Sequence, residues 1–311
     1  MRTSKPILFI GNTWESLDHK NDTSLHLACH AIDNFRSEIF WGTPENISFE
    51  KNALWISHIF KISSKKSNPP KEVKKKVNFS EFHSIHWRLD PPVTAFHYRL
   101  WSLMAAFENK YRFYNRPSQL LSFNEKFLPL RFKKSISSIV FSNKSDTPPK
   151  FFNHSILKPS GDAASRGVIE IEKKNIKREI KNLQNKESDL FVLQPVEKTI
   201  RKLGETRCFF INGKNLGAIK KIPNHNVIFN FDKTDSPRPQ LELTRLSSLQ
   251  QKTANEVGLF LKKQKIYFAT LDLIGDKILE INITSPGLAV FFDQKTNNKI
   301  AKTYWKFISI S

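Results

Sequence analysis

The sequence predicts an α/β protein built as three successive regions. Two observations carry this. Up to about residue 121, short apolar runs alternate with helical patterns, as in an open α/β sheet. From residue 201 onward the pattern becomes two hairpins on either side of one long helix. A smaller region between them, 123–200, reads as four strands and one helix. The expected division is therefore 1–122, 123–200 and 201–311.

In chain order, Lys5–Ile10 reads as a short buried strand. Asp22 can cap a helix running to about Phe35, with Leu25, Ala28, Ile32 and Phe35 on one face. Glu38–Trp41 and Leu54–Ile62 read as strands, and the basic, proline-broken Ser63–Lys76 as a mobile surface loop. Ser84–Asp90 is a strand ended by Pro91-Pro92. Phe96, Leu100, Leu103, Met104 and Phe107 mark a helix. Tyr111–Asn115 is a strand, and Pro117 opens a helix toward Phe127. In the second region, strands fall near Ile136–Phe141, Ser155–Lys158, Val168–Glu172 and Leu190–Gln194, with a helix near Asn175–Asn185. The third region opens with Thr206–Ile211 and Leu216–Ile222 around an Asn212-Gly213 turn. A helix from about Leu243 to Gln264 precedes a second hairpin, Ile266–Ile274 with Ile278–Thr284.

Composition narrows the class. The 311 residues carry 50 Lys+Arg against 29 Asp+Glu, a formal charge of 50 − 29 = +21. Such a charge suits either a nucleic-acid footprint or a solvated basic surface, and lysines spread along the chain favour the second. Two cysteines, Cys29 and Cys208, exclude a disulfide framework and read as buried thiols of a reducing compartment. The apolar run Pro6–Ile10 is too short for a signal peptide, and no stretch approaches a membrane span. A cytoplasmic protein with no membrane partner is expected. Only 10 residues are glycine, which is awkward for several Gly-rich phosphate loops. His83, His86 and His97 lack metal-ligand spacing and read as structural.

The last hairpin carries the first chemical signal. Its strands are apolar except for Asp272, Glu280 and Asn282. Acidic groups in a buried strand pair need a partner, commonly a divalent cation. Glu280 and Asn282 share one face. A two-residue Gly275-Asp276 loop in a regular ladder would pair Asp272 with Leu279 and turn Glu280 away. A three-residue loop or a bulge would pair Asp272 with Glu280 instead. Convergence of the three oxygens therefore demands an odd loop or a bulge. The alternative is a solvated sheet face. Two lysines, Lys158 ending an apolar strand and Lys126 expected on a helix, suit phosphate binding beside such a metal site.

Several segments together resemble the bacterial glutathione synthetases, a family of ATP-grasp ligases. They are Arg88-Leu89-Asp90-Pro91-Pro92, Asn115–Gln119 with Asn124–Phe127, Ile156-Leu157-Lys158-Pro159, Leu271–Asp276 and Glu280–Pro286. Lys20–Ser24 is a fainter match, and the resemblance is collinear over nearly the whole chain. It implies an N-terminal α/β domain, a small lid and a C-terminal antiparallel-sheet ATP-grasp domain, with ATP between the last two. It implies that Lys126 and Lys158 hold the phosphates and that Gln194 and Val196 form the adenine hinge. Asp272, Glu280 and Asn282 would bind Mg²⁺ or Mn²⁺. Arg207, in the Gly204-Glu205-Thr206-Arg207 segment, would lie over the transferring phosphoryl group. Arg88, Ser285 and Lys221 would face the peptide substrate. The implied reaction joins γ-glutamylcysteine to glycine through an acyl-phosphate. The alternatives are a ligase for another amino acid or peptide, and a weak relative acting as a basic nucleic-acid-binding protein. The family resemblance also suggests a homo-oligomer.

Two loops depart from the family pattern. After Lys158 the family carries a glycine-rich loop; here Pro159–Gly167 keeps only Gly161 and Gly167 and adds Asp162. Between Pro223 and Pro237 no glycine remains, and Lys221 stands where the family has arginine. Lysine cannot clamp a carboxylate through two parallel hydrogen bonds as arginine does.

Overall fold

The computed structural model of the protein describes residues 5–64, 70–73, 75–145, 152–162, 166–184, 189–197, 199–223 and 239–310. The first part runs β1 (Ile7–Ile10), α1 (Thr23–Phe35), β2 (Ile39–Gly42), β3 (Ile47–Glu50), β4 (Ala53–Ile56), β5 (Ile59–Lys61), β6 (Lys71–Val73), β7 (Val77–Asn78), β8 (Ser84–Trp87), α2 (Ala95–Ala105), β9 (Phe113–Tyr114) and α3 (Pro117–Ser122). Six strands form one sheet in the order β6-β5-β2-β1-β8-β9. Its centre is parallel, β2 and β8 flanking β1, and β9 continues it in parallel. Such a sheet is buried on both faces, and all four residues of β1 and of β8 are buried.

Local chemistry sets the element ends. The Asp22 carboxylate accepts the Leu25 amide N–H at 2.7 Å and opens α1, as expected. The single strand expected over Leu54–Ile62 is two strands in different sheets. His58 takes a left-handed φ of 48° and turns the chain between β4 and β5. Part of the expected surface loop Ser63–Lys76 is the edge strand β6, paired with β5, while residues 65–69 and 74 lie outside the described residues. The helix expected to reach Phe127 ends at Ser122, so Lys126 sits on a turn.

The middle part contributes β10 (Ile139–Ser142), β11 (His154–Pro159), β12 (Ile169–Glu172), α4 (Ile176–Gln184) and β13 (Leu190–Pro195). These strands make an antiparallel sheet in the order β10-β13-β11-β12, with its own apolar core of Phe141, Leu157, Ile171, Ile180 and Leu193. The last part holds α5 (Ile200–Leu203), β14 (Glu205–Ile211), β15 (Lys214–Ile222), β16 (Gln240–Thr244), α6 (Ser248–Lys263), β17 (Phe268–Ile274), β18 (Lys277–Asn282), α7 (Ala289–Lys295) and α8 (Lys299–Ile310). Its antiparallel sheet runs β16-β15-β14-β17-β18.

The Asn212-Gly213 turn has positive φ at both residues, 48° and 74°, the backbone that a tight two-residue hairpin requires. The helix expected from Leu243 starts later. Ser247 and Gln250 form a reciprocal capping box at Ser248, and the preceding Gln240–Thr244 pairs with β15 as an edge strand. Two C-terminal helices close the molecule onto α1. Asp293 accepts the Ile300 and Ala301 amides at the start of α8 and pairs with His26, while Trp305 donates to the Leu27 carbonyl. His86 is buried between Ser84 and the Tyr304 hydroxyl, which agrees with a structural role. Cys29 and Cys208 are buried, and neither is in a disulfide. Among the described residues, no helix is long and apolar enough to cross a membrane.

Candidate active site

One cavity lies between the β11–β13 sheet and the five-stranded sheet. Lys126, Lys158, Gln194, Val196, Arg207, Lys221, Asp272, Glu280 and Asn282 all line it. Strand register puts the charged residues there. Glu205 pairs with Lys221 across β14/β15, Arg207 with Asp272 across β14/β17, and Asp272 with Glu280 across β17/β18. Glu205 and Arg207 are two residues apart and so share a face, as do Glu280 and Asn282. The result is a ladder of charged residues across four strands, opposite charges facing each other across β15/β14 and β14/β17 and two carboxylates across β17/β18.

The β17/β18 pairing meets the condition set by the sequence. Ile274 pairs with Lys277 around a two-residue loop, Leu273 with Ile278, and then Asp272 with Glu280. Leu279 is the extra residue of a bulge, and it brings Glu280 to the side of Asp272.

Within the ladder every charge is paired. The Arg207 guanidinium donates from Nε and Nη2 to both Asp272 carboxylate oxygens, at 2.7 and 2.6 Å. Asn282 Nδ2 donates to Asp272 at 3.2 Å. Lys221 forms an ion pair with Glu205 and stands 3.6 Å from Asp272. Lys126 stands 3.4 Å from Glu280. Burial works against the Asp272 charge, but Arg207 and Lys221 outweigh it and hold the carboxyl below its usual range. Burial likewise opposes the Arg207 charge, and Asp272 reverses the balance and raises that pKa. Glu205 goes the other way. Burial, offset only in part by Lys221, pushes it up to about 7. Burial also lowers the Lys158 pKa, against the pull of Glu280.

Three consecutive residues place Lys126. Asn124 donates from its amide to the Ser160 carbonyl and accepts the Lys126 N–H. Half-buried Glu125 accepts the Ile283 and Thr284 amides at 2.6 and 2.7 Å, which ties the turn to the end of β18. Lys126 then reaches between the two sheets, its ammonium on the Asp162 carbonyl. On the other wall, Lys158 and Gln194 sit on the paired strands β11 and β13, and Gln194 Nε2 donates to Ser138.

Arg88 and Ser285 lie elsewhere. Ser285 lines a separate surface depression with Asp22, Ser24 and Asp90. Arg88 is buried, donating to Ser24 Oγ at 3.0 Å and the Pro286 carbonyl at 2.9 Å. Lys221, grouped by sequence with these two, belongs instead with the charged ladder. The loop 224–236 lies outside the described residues. Sequence reasoning passed over Glu125, Asp162, Arg166, Glu197 and Glu205 as site residues. Glu205 carried a signal, since it stands two residues before Arg207 on a strand and had to share its face.

Models of two parts of one family match nearly the whole chain. The prokaryotic glutathione synthetase N-terminal domain matches residues 6–120, and the prokaryotic glutathione synthetase ATP-grasp domain matches 125–297. The chain belongs to the prokaryotic glutathione synthetase family. Members of this family are ATP-dependent ligases, and so is this chain. Among curated relatives, glutathione synthetase of Prochlorococcus marinus subsp. pastoris is 26% identical over 289 residues, covering 90% of this chain and 91% of the relative. Glutathione synthetase of Buchnera aphidicola subsp. Schizaphis graminum is 28% identical over 268 residues, covering 84% and 78%. Among solved structures, the D-cycloserine synthetase DcsG superposes with a TM-score of 0.66 at 14% identity, covering 97% of this chain and 99% of that one. D-alanine–D-alanine ligase from Bacillus anthracis, in complex with ATP, gives 0.57 at 13% identity, covering 98% and 99%. These likenesses establish the ATP-grasp fold for the two sheets that enclose the cavity.

The cation implied by the family can be tested against the donors. Asp272, Glu280 and Asn282 offer oxygen donors from adjacent strands, the hard ligand type that Mg²⁺ takes. Among the described residues no three His, Cys, Asp or Glu side chains form a metal cluster; this set is two carboxylates and one amide. Its donor chemistry fits Mg²⁺, with Arg207 occupying both Asp272 oxygens in the present arrangement.

Proposed function

We propose that this ligase joins γ-glutamylcysteine to glycine, making glutathione in a reducing cytoplasm. The observation that carries the reading is the charge arrangement of the cavity. Among the described residues, Lys126, Lys158, Arg166, Arg207 and Lys221 face Asp162, Glu197, Glu205, Asp272 and Glu280. Four of these cations are paired with carboxylates of the cavity: Lys126 with Glu280, Arg166 with Asp162, Arg207 with Asp272 and Lys221 with Glu205. A triphosphate entering a site whose cations are already paired needs a cation with it, which supports Mg²⁺ on Asp272, Glu280 and Asn282. Bound there, the ion would neutralise charge on the phosphate oxygens.

The remaining roles follow from position. Lys126 and Lys158 approach from opposite walls and hold phosphate oxygens. Gln194 and Val196, where β13 ends, take the adenine edge. Arg207 swings from Asp272 to the phosphoryl group, where its planar fork matches two oxygens. The substrate carboxylate attacks the γ-phosphorus and ADP leaves. The glycine nitrogen then attacks the acyl carbon of the acyl-phosphate, inorganic phosphate leaves, and the nitrogen loses its proton. The depression beside Ser285, with Arg88 bracing its wall, takes the peptide. Three domains, 1–122, 123–200 and 201–311, supply the peptide side, the lid and the chemical wall. A nucleic-acid-binding role is not favoured, because Lys126, Arg166, Arg207 and Lys221 are paired with carboxylates inside the cavity.

Trapping tests the reaction. With MgATP, γ-glutamylcysteine and hydroxylamine in place of glycine, the acyl-phosphate should yield a γ-glutamylcysteine hydroxamate, seen by mass. ADP release without hydroxamate would contradict an acyl-phosphate on this peptide.

A further inference from the structure

The loop that follows β11 lacks the run of glycines that lets backbone N–H groups approach phosphate closely. Its two glycines are committed to packing. A Cβ on Gly161 would stand 2.8 Å from the Val93 carbonyl oxygen, and the Gly161 carbonyl accepts the Val93 N–H at 2.7 Å. Gly167 holds a left-handed φ of 64° against Pro159. Among the described residues, this leaves side chains to supply phosphate contacts on this wall.

Arg166 is placed to supply it. Its guanidinium lines the same cavity as Lys126 and Lys158. Nε donates to Asp162 Oδ1 at 2.8 Å, and Nη2 donates to the Pro91 carbonyl. Asp162 in turn offers its own carbonyl oxygen to the Lys126 ammonium. One residue thus presents a carboxylate to Arg166 and a carbonyl oxygen to Lys126, the two kinds of contact a phosphate group would make. The side chains of Arg166 and Asp162 are 32% and 27% exposed, so this pair, four residues apart on a loop, is partly screened and weak. A phosphate offers two charged oxygens to the planar guanidinium and is the stronger partner.

We propose that Arg166 is a phosphate-binding residue of the nucleotide site, with Asp162 holding its place until the polyphosphate enters. The inference rests on ATP use by this chain. Arg166 exchanges the Asp162 carboxylate for a phosphate oxygen, and its charge then stands between Asp162 and the phosphates. Arg166 does by charge what the family's missing glycines would do by backbone contact.

The experiment is calorimetric titration of the wild-type protein, Arg166→Ala, Arg166→Lys and Asp162→Asn with ATP, ADP and AMP in the presence of Mg²⁺. Arg166→Ala should weaken ATP about tenfold or more and leave AMP within about twofold. Arg166→Lys should fall between. Asp162→Asn should tighten ATP a fewfold, the opposite sign, and lose that gain when combined with Arg166→Ala. An Arg166→Ala variant that weakens AMP and ATP equally would reduce Arg166 to a strut holding the loop on Pro91 and overturn the proposal. So would unchanged ATP binding. If the wild-type protein binds no nucleotide, the ATP site itself fails and this assignment falls with it.

Discussion

The two walls of the cavity are built on different principles. The β14–β17–β18 wall carries its chemistry on paired strands, where register alone brings Arg207, Asp272 and Glu280 into contact. The opposite wall carries Lys158 and Gln194 on strands, but Asp162 and Arg166 on a loop. A ladder position cannot drift without moving every neighbour, whereas a loop can exchange residues at little cost. That difference accounts for where this chain departs from its family. The strand-borne groups are present except at Lys221 on β15, which stands where the family has arginine, and the glycines are missing from a loop.

The comparison is most exposed to changes on the strand wall. Asp272→Asn removes the carboxylate that Arg207, Lys221 and Asn282 all address. Ligase turnover should fall by about 100-fold or more, measured as kcat for ADP release. A milder loss would mean the ladder is not the chemical wall. Lys158→Met, on the other wall, should raise KM for ATP by about tenfold with a smaller change in kcat. An equal loss in kcat would erase the distinction between the walls. Gly213→Ala probes the scaffold behind the ladder. With φ of 74° and a Cβ set 2.3 Å from the Gly258 carbonyl oxygen, it should destabilise the protein by about 1–3 kcal/mol, seen as a lower Tm.

The smallest effect is a slope with pH. The Glu205 pKa rises from 4.5 unfolded to about 7 folded. The native state therefore keeps a proton that the unfolded chain has released across that window. The contribution is full below pH 4.5 and is lost as pH rises through about 7. Asp272, held low, works the other way at lower pH: its contribution is present above 3.8 and lost as pH falls through its folded pKa. Glu205→Gln should flatten the fall in Tm between pH 4.5 and 7, and an unchanged slope would assign the proton elsewhere.

Much of this was legible in the residues because periodicity is local. Asp272, Glu280 and Asn282 could be seen to converge only through a bulge or an odd loop, and the bulge at Leu279 is what the structure has. The Asn212-Gly213 hairpin followed from its turn chemistry. What was not legible depended on backbone breaks and distant partners. Leu243 looks continuous with the helix after it, but the Ser247 cap starts that helix at Ser248. Lys126 looked helical, and instead a turn is held by Glu125 reaching the far end of β18. The placement of Lys221 beside Glu205 rather than at the peptide depression depends on the β14/β15 register. The helices α7 and α8 carry no chemical motif, and their packing on α1 depends on contacts more than 250 residues away, such as His26 with Asp293.

The central claim is that these two walls close on ATP and a peptide carboxylate to make an amide. The direct measurement incubates the pure protein with MgATP, γ-glutamylcysteine and glycine and follows products by mass. The account predicts glutathione and ADP in equal amounts, each dependent on both amino-acid substrates. ADP formed only with a different peptide or amino acid, or no ADP at all, would contradict it.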